Sequence, residues 1–303
     1  MKQTLLITFG CSWTFGVGVG YVENMKKEDY IKIAWSAELS NKFSFRGILA
    51  EKFDLVNKNF AEGGSSNQKQ FRLAKKFFTS VEFNELRKKY DNIIVLWGIT
   101  STARNEFYRI STNDYHNFFY SDNTDSNWPF PKLLVKHSYD HNTCVDELSA
   151  EILFWNEFFK CKNIKNLWFD TFNHHNYFYI NENDYNIFKG TDWPLWENYV
   201  VTNFIGVSQE IVNEITEFCW TNSSDNKIIY REINPRDLMS LLAKEYGLVD
   251  IDGQMHMSEW KDDTNRTKFL VLNKILNPIS YHPTKLGHQK IAEILAPFIE
   301  KLI

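Results

Sequence analysis

Cysteine is scarce in this chain, and no long apolar run is present. Four cysteines occur among 303 residues, and no two of them form a C-x-x-C pair. They stand at positions 11, 144, 161 and 219. Because this spacing matches no familiar metal site, we expect four reduced thiols and no cysteine-bound metal. No run approaches the roughly 20 apolar residues that a membrane span needs, so the sequence predicts no membrane contact of that kind.

A secretion signal is not evident at the start of the sequence. The apolar run Leu5-Leu6-Ile7 is too short for the core of a signal peptide, and it leads directly into Gly10-Cys11-Ser12. Together with the expected reduced thiols, this predicts a cytoplasmic protein.

Charge of neither sign is in marked excess. The formal net charge is -4, and Lys and Arg occur only in short clusters such as Arg87-Lys88-Lys89. Such clusters are typical of a solvated surface, so nucleic-acid binding is not predicted. Gly16, Gly18 and Gly20 do not have the G-x-G-x-x-G spacing of a dinucleotide site, and no phosphate-binding P-loop is present.

Apolar stretches alternate with amphipathic stretches along the chain. Predicted strands cover residues 3–9, 54–57, 91–97 and 166–170. Predicted helices cover residues 45–53, 67–81 and 145–161, with a further helix through residues 291–302. The strands are mostly apolar throughout, as in the buried strands of a parallel sheet. Their alternation with helices predicts an α/β fold on a parallel sheet.

Two long stretches do not follow this alternation. Residues 105–144 and 171–225 are rich in Asn, Asp and aromatic residues and have weak periodicity. We interpret them as insertions into a single domain of residues 1–303, although a separate domain in 171–260 is an alternative. Their aromatic residues predict either a sugar-stacking platform or a hydrophobic cluster that holds the loops together. Examples are Trp128, Tyr185, Trp193 and Trp196.

A serine and a histidine near opposite ends of the chain carry the functional hypothesis. Ser12 follows the first predicted strand, and His282 stands in a His-Pro-x-x-x-Gly-His run before the last helix, about 270 residues away. Alone, each has a simpler interpretation, as a turn residue and a structural histidine. Together they predict a hydroxyl nucleophile with its general base, because a compact α/β domain brings such segments to one sheet edge. His288 begins the final helix and is expected to pack or cap rather than react.

Two further polar segments follow predicted strands. The first, residues 59–67, contains Gly63-Gly64, and glycine allows a close backbone approach to a substrate. The second, residues 97–106, contains Thr100. Both are expected at the sheet edge that holds Ser12, where their groups could donate hydrogen bonds to a developing oxyanion.

These four segments, in this order, resemble the SGNH (GDSL-type) hydrolase superfamily. Gly10-Cys11-Ser12 is similar to its nucleophile block, and residues 59–67 to the block of its oxyanion glycine, for which we choose Gly64. Gly98-Ile99-Thr100-Ser101 is similar to the block with its oxyanion asparagine, and Ile279-Ser280-Tyr281-His282 to its Asp-x-x-His block. The resemblance implies a three-layer α/β/α sandwich of the flavodoxin-like type with a mostly parallel sheet.

This chain departs from the family pattern at three positions. Cys11 and Ile279 stand where the family has Asp, and Thr100 stands where it has Asn. The loss of the acid matters most, because that acid orients the histidine. Asp250 or Asp252 could substitute for it, or His282 could form a bare dyad with Ser12, oriented by a backbone carbonyl. The sequence does not choose between these alternatives.

The resemblance implies a serine esterase that hydrolyses an acyl or acetyl ester, with carbohydrate esters among its expected substrates. Ser12 is expected to attack the ester carbonyl and His282 to take its proton, while Ser12, Gly64 and Thr100 hold the oxyanion. No metal or organic cofactor is expected. An inactive SGNH-like module that binds a glycan or a protein is the alternative. An acyltransferase would use the same residues, and the oligomeric state is not readable from the sequence.

Overall fold

The computed structural model describes residues 3–119, 141–171, 270, 271 and 273–303. The described residues form the strands β1 (Thr4–Phe9), β2 (Leu55–Asn59), β3 (Ile93–Ile99), β4 (Arg104–Arg109), β5 (Asp114–Phe119) and β6 (Lys165–Asp170). They form the helices α1 (Ser12–Phe15), α2 (Lys27–Ile33), α3 (Ala37–Phe43), α4 (Phe45–Lys52), α5 (Asn67–Phe78), α6 (Val81–Lys89), α7 (His141–Cys161) and α8 (Lys285–Glu300).

Four of these strands form one parallel sheet. Its order is β2-β1-β3-β6, with Leu5 of β1 paired to Val56 of β2 and to Ile93 of β3. The chain therefore passes from β1 to β2 at one edge of the sheet and then returns to form β3 on the other side of β1. Such a switch point opens a crevice at the carboxyl ends of the two central strands, where open α/β sheets bind ligands. In this sheet the switch point lies at the carboxyl ends of β1 and β3.

Helices cover both faces of the sheet. Leu5, Ile7 and Phe9 of β1 pack in a cluster with α5, α6 and α7, whereas Leu6 packs on the opposite face with α4 and α8. Successive residues of a strand point to opposite faces, so an uninterrupted apolar strand needs a helical layer on each side. The predicted three-layer α/β/α fold with a parallel sheet is therefore confirmed.

Stacked aromatic rings link three strands within the first of these clusters. The ring of Trp97 in β3 stacks on Phe9 at 4.6 Å and on Trp168 at 4.9 Å between centroids. All three rings are almost completely buried. Burying such large apolar surfaces is a dominant contribution to core stability, so the central strands are fixed laterally below the switch point.

The predicted helix over 67–81 is wrong at its end. Helix α5 ends at Phe78, and α6 begins at Val81. The reason is the hydroxyl of Ser80, which accepts a hydrogen bond from the N–H of Phe83 at 3.1 Å and so caps a new helix. Ser66 caps α5 in the same way, accepting from Lys69 N at 3.2 Å.

The first predicted insertion contains regular structure. Residues 104–119 form the antiparallel β4–β5 hairpin, and α7 already begins at residue 141. The hairpin is held to α5 by Arg72, which donates two hydrogen bonds to Glu106, at 2.8 and 2.7 Å. Residues 120–140 and almost all of 171–225, with the aromatic residues considered as a sugar platform, lie outside the described residues.

Gln70 provides a stability test of the layer beside β1. Its buried side chain accepts a hydrogen bond from Gly10 N at 2.9 Å and donates one to Ser65 Oγ at 2.6 Å. We expect Gln70→Met, which keeps the volume but leaves Gly10 N and Ser65 Oγ without these hydrogen bonds, to lower the free energy of unfolding by about 1–3 kcal/mol. The exposed neighbour Gln68 gives a matched control, and Gln68→Met should change it by less than about 0.5 kcal/mol in urea denaturation. Equal stabilities of the two variants would contradict the role assigned to Gln70.

Candidate active site

Ser12 lies at the carboxyl end of β1, at the switch point of the sheet. It is the first residue of α1 and only 4% exposed. The turn before it passes through Gly10, whose φ of +151° is unfavourable for residues with a side chain. A Cβ at Gly10 would also lie 2.3 Å from Thr14 Oγ1. The glycine thus permits the tight strand-to-helix turn that presents Ser12 over the sheet edge.

His282 is held in a rigid turn that precedes α8. Two donors of Asn277, its backbone N and its side-chain Nδ2, each lie 2.9 Å from the His282 carbonyl oxygen. The turn is closed by the N–H of Thr284, which donates to the Ile275 carbonyl at 2.8 Å. Tyr281 adopts a left-handed φ of +55° within it. These bonds fix the backbone on both sides of the imidazole.

The fold brings Ser12 and His282 into direct contact. The Nε2 atom of His282 lies 2.8 Å from the Oγ atom of Ser12. This is the distance and the pair of atoms needed for a general base to accept the proton of a hydroxyl nucleophile.

A glycine after α1 makes this contact sterically feasible. Gly18 has a φ of +107°, and a Cβ there would lie 2.3 Å from the Pro283 carbonyl oxygen and 3.0 Å from the Cβ of His282. The segment that follows Ser12 and the turn that carries His282 therefore pack backbone against backbone.

The other ring nitrogen of His282 faces a second hydroxyl. Its Nδ1 atom lies 3.0 Å from Ser280 Oγ. Ser280 Oγ in turn lies 2.7 Å from the hydroxyl of Tyr30 and 3.1 Å from Oδ1 of Asn277. Within the described residues, no ion pair joins His282 to a carboxylate.

Burial keeps this histidine neutral. Desolvation lowers the pKa of His282 to about 4, the hydrogen bond with the Ser280 backbone opposes this shift, and the positive charge of Arg104 adds to it. An imidazole with this pKa carries a lone pair at neutral pH and can act as a base.

His288 is structural. It is completely buried in α8, and its Nδ1 accepts a hydrogen bond from the N–H of Phe45 at 3.3 Å. Burial, with the nearby charge of Arg46, lowers the pKa of His288 to about 3. It packs as expected from the sequence.

The two segments expected to supply oxyanion donors also lie in the described residues. Gly64 follows β2 in a left-handed conformation, with φ of +67°, and no atom lies within 4 Å of the position of a Cβ. Thr100 is buried after β3, where its N–H donates to Asn67 Oδ1 at 3.0 Å and its carbonyl accepts from Asn67 Nδ2 at 2.8 Å. The backbone N–H of Thr100 is therefore occupied, so the oxyanion donor predicted for this residue is its hydroxyl.

The positions considered for the acid that orients His282 are only partly described by the structure. Asp250 and Asp252 lie outside the described residues. Ile279, at the position of the family's acid, packs against a small apolar cluster that contains Val17 and Tyr30. An apolar side chain at that position thus supports the fold of the segment after Ser12.

Neither a membrane span nor a metal centre is found in the described part of the chain. None of its helices combines the length and the apolar character required to cross a bilayer. No group of three or more His, Cys, Asp or Glu side chains is clustered as metal ligands there.

Sequence reasoning missed several polar residues that shape the site. Asn67 locks Thr100, Gln70 holds Gly10, and Asn277, Ser280 and Tyr30 surround the outer side of His282. The Asn277-Pro278 pair is a turn signal, and it could have indicated a side-chain-stabilised turn before His282. Tyr30 carried no such signal, because it meets Ser280 across 250 residues of sequence.

Gly18 gives a direct test of how the two segments pack. We expect Gly18→Ala to lower the free energy of unfolding by more than about 1 kcal/mol, because alanine is strained at positive φ and its Cβ meets the Pro283 carbonyl. Gly20→Ala is the matched control, since Gly20 has an ordinary φ and its nearest neighbour is the flexible end of Ile33. Urea denaturation of both variants measures the difference, and equal stabilities would show that the packing at Gly18 is loose.

Comparisons with known proteins find similarity only among solved structures. No family model and no curated protein matches the chain. A protein of the G-D-S-L family from Desulfitobacterium hafniense is 12% identical, with a TM-score of 0.36, over 96% of this chain and 97% of that one. An acetyl xylan esterase from Butyrivibrio proteoclasticus is 11% identical, with a TM-score of 0.39, over 99% of this chain and 64% of that one. A lipase/acylhydrolase from Enterococcus faecalis is 9% identical, with a TM-score of 0.32, over 99% and 96%.

Proposed function

We propose that this chain is a serine hydrolase that cleaves an acyl or acetyl ester through a covalent acyl-enzyme. One observation carries the proposal, namely the 2.8 Å contact between Ser12 Oγ and His282 Nε2 at the switch point of the sheet. A partly buried, neutral imidazole that faces a buried hydroxyl at the switch point of the sheet is the arrangement that nucleophilic catalysis requires.

In the first half of the reaction, Ser12 Oγ attacks the ester carbonyl carbon, and its proton passes to Nε2 of His282. The carbonyl oxygen becomes an oxyanion in the tetrahedral intermediate. Collapse of this intermediate breaks the bond to the alcohol oxygen, which takes the proton from His282 as it leaves. Ser12 then carries the acyl group as an ester.

In the second half, a water molecule gives a proton to Nε2 of His282 and attacks the acyl carbon. The second tetrahedral intermediate expels Ser12, which recovers its proton from the imidazolium, and the carboxylic acid is released. An alcohol acceptor in place of water would make the same site an acyltransferase.

Three groups are proposed to hold the oxyanion. The N–H of Ser12 lies at the first position of α1, where helical N–H groups have no partner within the helix. The N–H of Gly64 belongs to a loop that is tied to the turn after β1 by the bond from Glu62 N to the Gly10 carbonyl, at 3.2 Å. The hydroxyl of Thr100 is the third. Each donor of this kind typically contributes a factor of roughly a hundred or more in rate.

The substrate is proposed to carry a small acyl group, because Ser12 is only 4% exposed. Acetyl esters, including acetylated carbohydrates, are therefore the first substrates to test. The aromatic residues that could stack on a sugar lie outside the described residues, so the proposal concerns the ester bond itself.

Covalent labelling tests the nucleophile without knowledge of the substrate. A fluorophosphonate probe should label the wild type, because Ser12 Oγ can displace fluoride from phosphorus while His282 takes the proton. Ser12→Ala should abolish labelling and reduce p-nitrophenyl acetate turnover to background, and His282→Gln should slow both by at least about a thousandfold. Ser111→Ala, at an exposed serine of the β4–β5 turn, is the control and should react like the wild type. Equal labelling of wild type and Ser12→Ala would reject the hydrolase and favour the binding module.

The pH dependence of labelling tests the state of the base. Because the pKa of His282 is lowered to about 4, the base form persists far below the ordinary histidine range, and the labelling rate should fall with a midpoint near pH 4. The same shift destabilises the fold in acid: the stabilising contribution is complete above about pH 6.5 and is lost as the pH falls through 4. Short labelling pulses, with circular dichroism as the control for folding, separate the two effects. A midpoint near 6.5 in folded protein would contradict the assignment.

A further inference from the structure

The outer side of the His282 imidazole contains an ordered polar network. Three side chains form it, namely Ser280 in contact with Nδ1 and, around Ser280, Asn277 and Tyr30. Tyr30 and Asn277 are almost fully buried. Polar groups at such depth are stable only when their hydrogen bonds are made, so the direction of each bond is informative.

The direction of the Asn277 amide is fixed by the backbone. Its Oδ1 accepts the N–H of Ile279 at 3.2 Å and the N–H of Ser280 at 2.8 Å. Its Nδ2 donates to the His282 carbonyl at 2.9 Å. Backbone N–H groups only donate and carbonyls only accept, so the amide cannot be flipped.

This amide determines where the proton of Ser280 points. Oδ1 of Asn277 can only accept, and Ser280 Oγ donates to it at 3.1 Å. A serine hydroxyl has one proton and two lone pairs. The lone pairs of Ser280 therefore face the two remaining neighbours, Nδ1 of His282 at 3.0 Å and the Tyr30 hydroxyl at 2.7 Å.

An acceptor at Nδ1 selects one form of the neutral imidazole. The proton must reside on Nδ1, which leaves the lone pair of Nε2 directed at Ser12. This is the tautomer that a general base needs. In the SGNH pattern that the sequence resembles, an aspartate makes this selection, and in the described part of this chain no carboxylate is paired with His282.

We infer that Ser280, oriented by Asn277 and Tyr30, is the positioning residue of His282 and replaces the missing acid with a neutral hydroxyl. This inference rests on the proposed hydrolase function. Tyr30 contributes as a donor, since burial raises its pKa and keeps the phenol protonated. Tyr30 lies in α2 and packs in the same apolar cluster as Ile279.

Substitutions at Ser280 separate positioning from a purely structural role. Ser280→Ala should lower the fluorophosphonate labelling rate about tenfold, the equivalent of one good hydrogen bond. Ser280→Thr keeps the hydroxyl and should recover part of the loss. Ser280→Asp places a carboxylate beside Nδ1 and should move the acid midpoint of labelling upward by about one pH unit or more. Thr79→Ala, which removes an exposed hydroxyl at the end of α5, is the matched control.

A second readout does not depend on catalysis. The nitrogen chemical shifts of the imidazole report its tautomer directly in protein labelled with ¹⁵N-histidine, and His282→Gln identifies the signal among the 8 histidines. The wild type should show the Nδ1–H form, and Ser280→Ala should shift the balance toward Nε2–H.

The outcomes distinguish the two proposals. If folded wild type is not labelled at Ser12, the hydrolase proposal fails, and the tautomer measurement still decides the role of Ser280. If the wild type is labelled but Ser280→Ala changes neither rate nor tautomer, only the positioning role is overturned. An Nε2–H imidazole in the wild type would overturn it as well.

Discussion

The backbone packing between the segment after Ser12 and the turn that carries His282 is the constraint on which the site depends. The sheet alone places Ser12 at the switch point, but nothing in the sheet places an imidazole there. Two features place the imidazole there. Asn277 donates two hydrogen bonds to the carbonyl of His282, and Gly18 has no side chain to hold the two segments apart. Because both devices are short-range and rigid, the 2.8 Å contact needs no movement of a loop to form.

Much of the fold could be predicted because its strongest signals are local. Strand β3 is buried along its whole length. No helix in the described part of the chain can span a membrane, so an unbroken apolar run of seven residues there is typical of a buried strand. The division between α5 and α6 escaped prediction because apolar periodicity continues across it, and only the cap at Ser80 marks the break. The β4–β5 hairpin also escaped, since its turn contains no glycine and instead uses Asn113 with a φ of +53°.

Part of the candidate site could also be predicted, and part could not. The pairing of Ser12 with His282 could be predicted from motifs next to predicted elements, whereas the residues around Nδ1 of His282 could not. Serine and asparagine are common in turns, so Ser280 and Asn277 do not stand out until their partners are known. Tyr30 lies on a helix far away in sequence, and its place in the network is a result of tertiary packing. The predicted alternatives, a distant acid or a dyad with His282 oriented by a backbone carbonyl, included the hydrogen bond of His282 with the Ser280 backbone but not the Ser280 hydroxyl.

A neutral positioning group changes the electrostatics of the proposed reaction. An aspartate would carry its negative charge both before and after the proton transfer and would stabilise the imidazolium once it forms, whereas Ser280 fixes the ring but supplies no countercharge. Burial and the charge of Arg104 both disfavour the protonated ring in the resting site. The negative charge that then compensates the imidazolium is the oxyanion formed by the attack of Ser12. Because this ion pair exists only in the tetrahedral state, its stabilisation acts on the transition state and not on the resting enzyme, which is the condition under which an interaction accelerates a reaction.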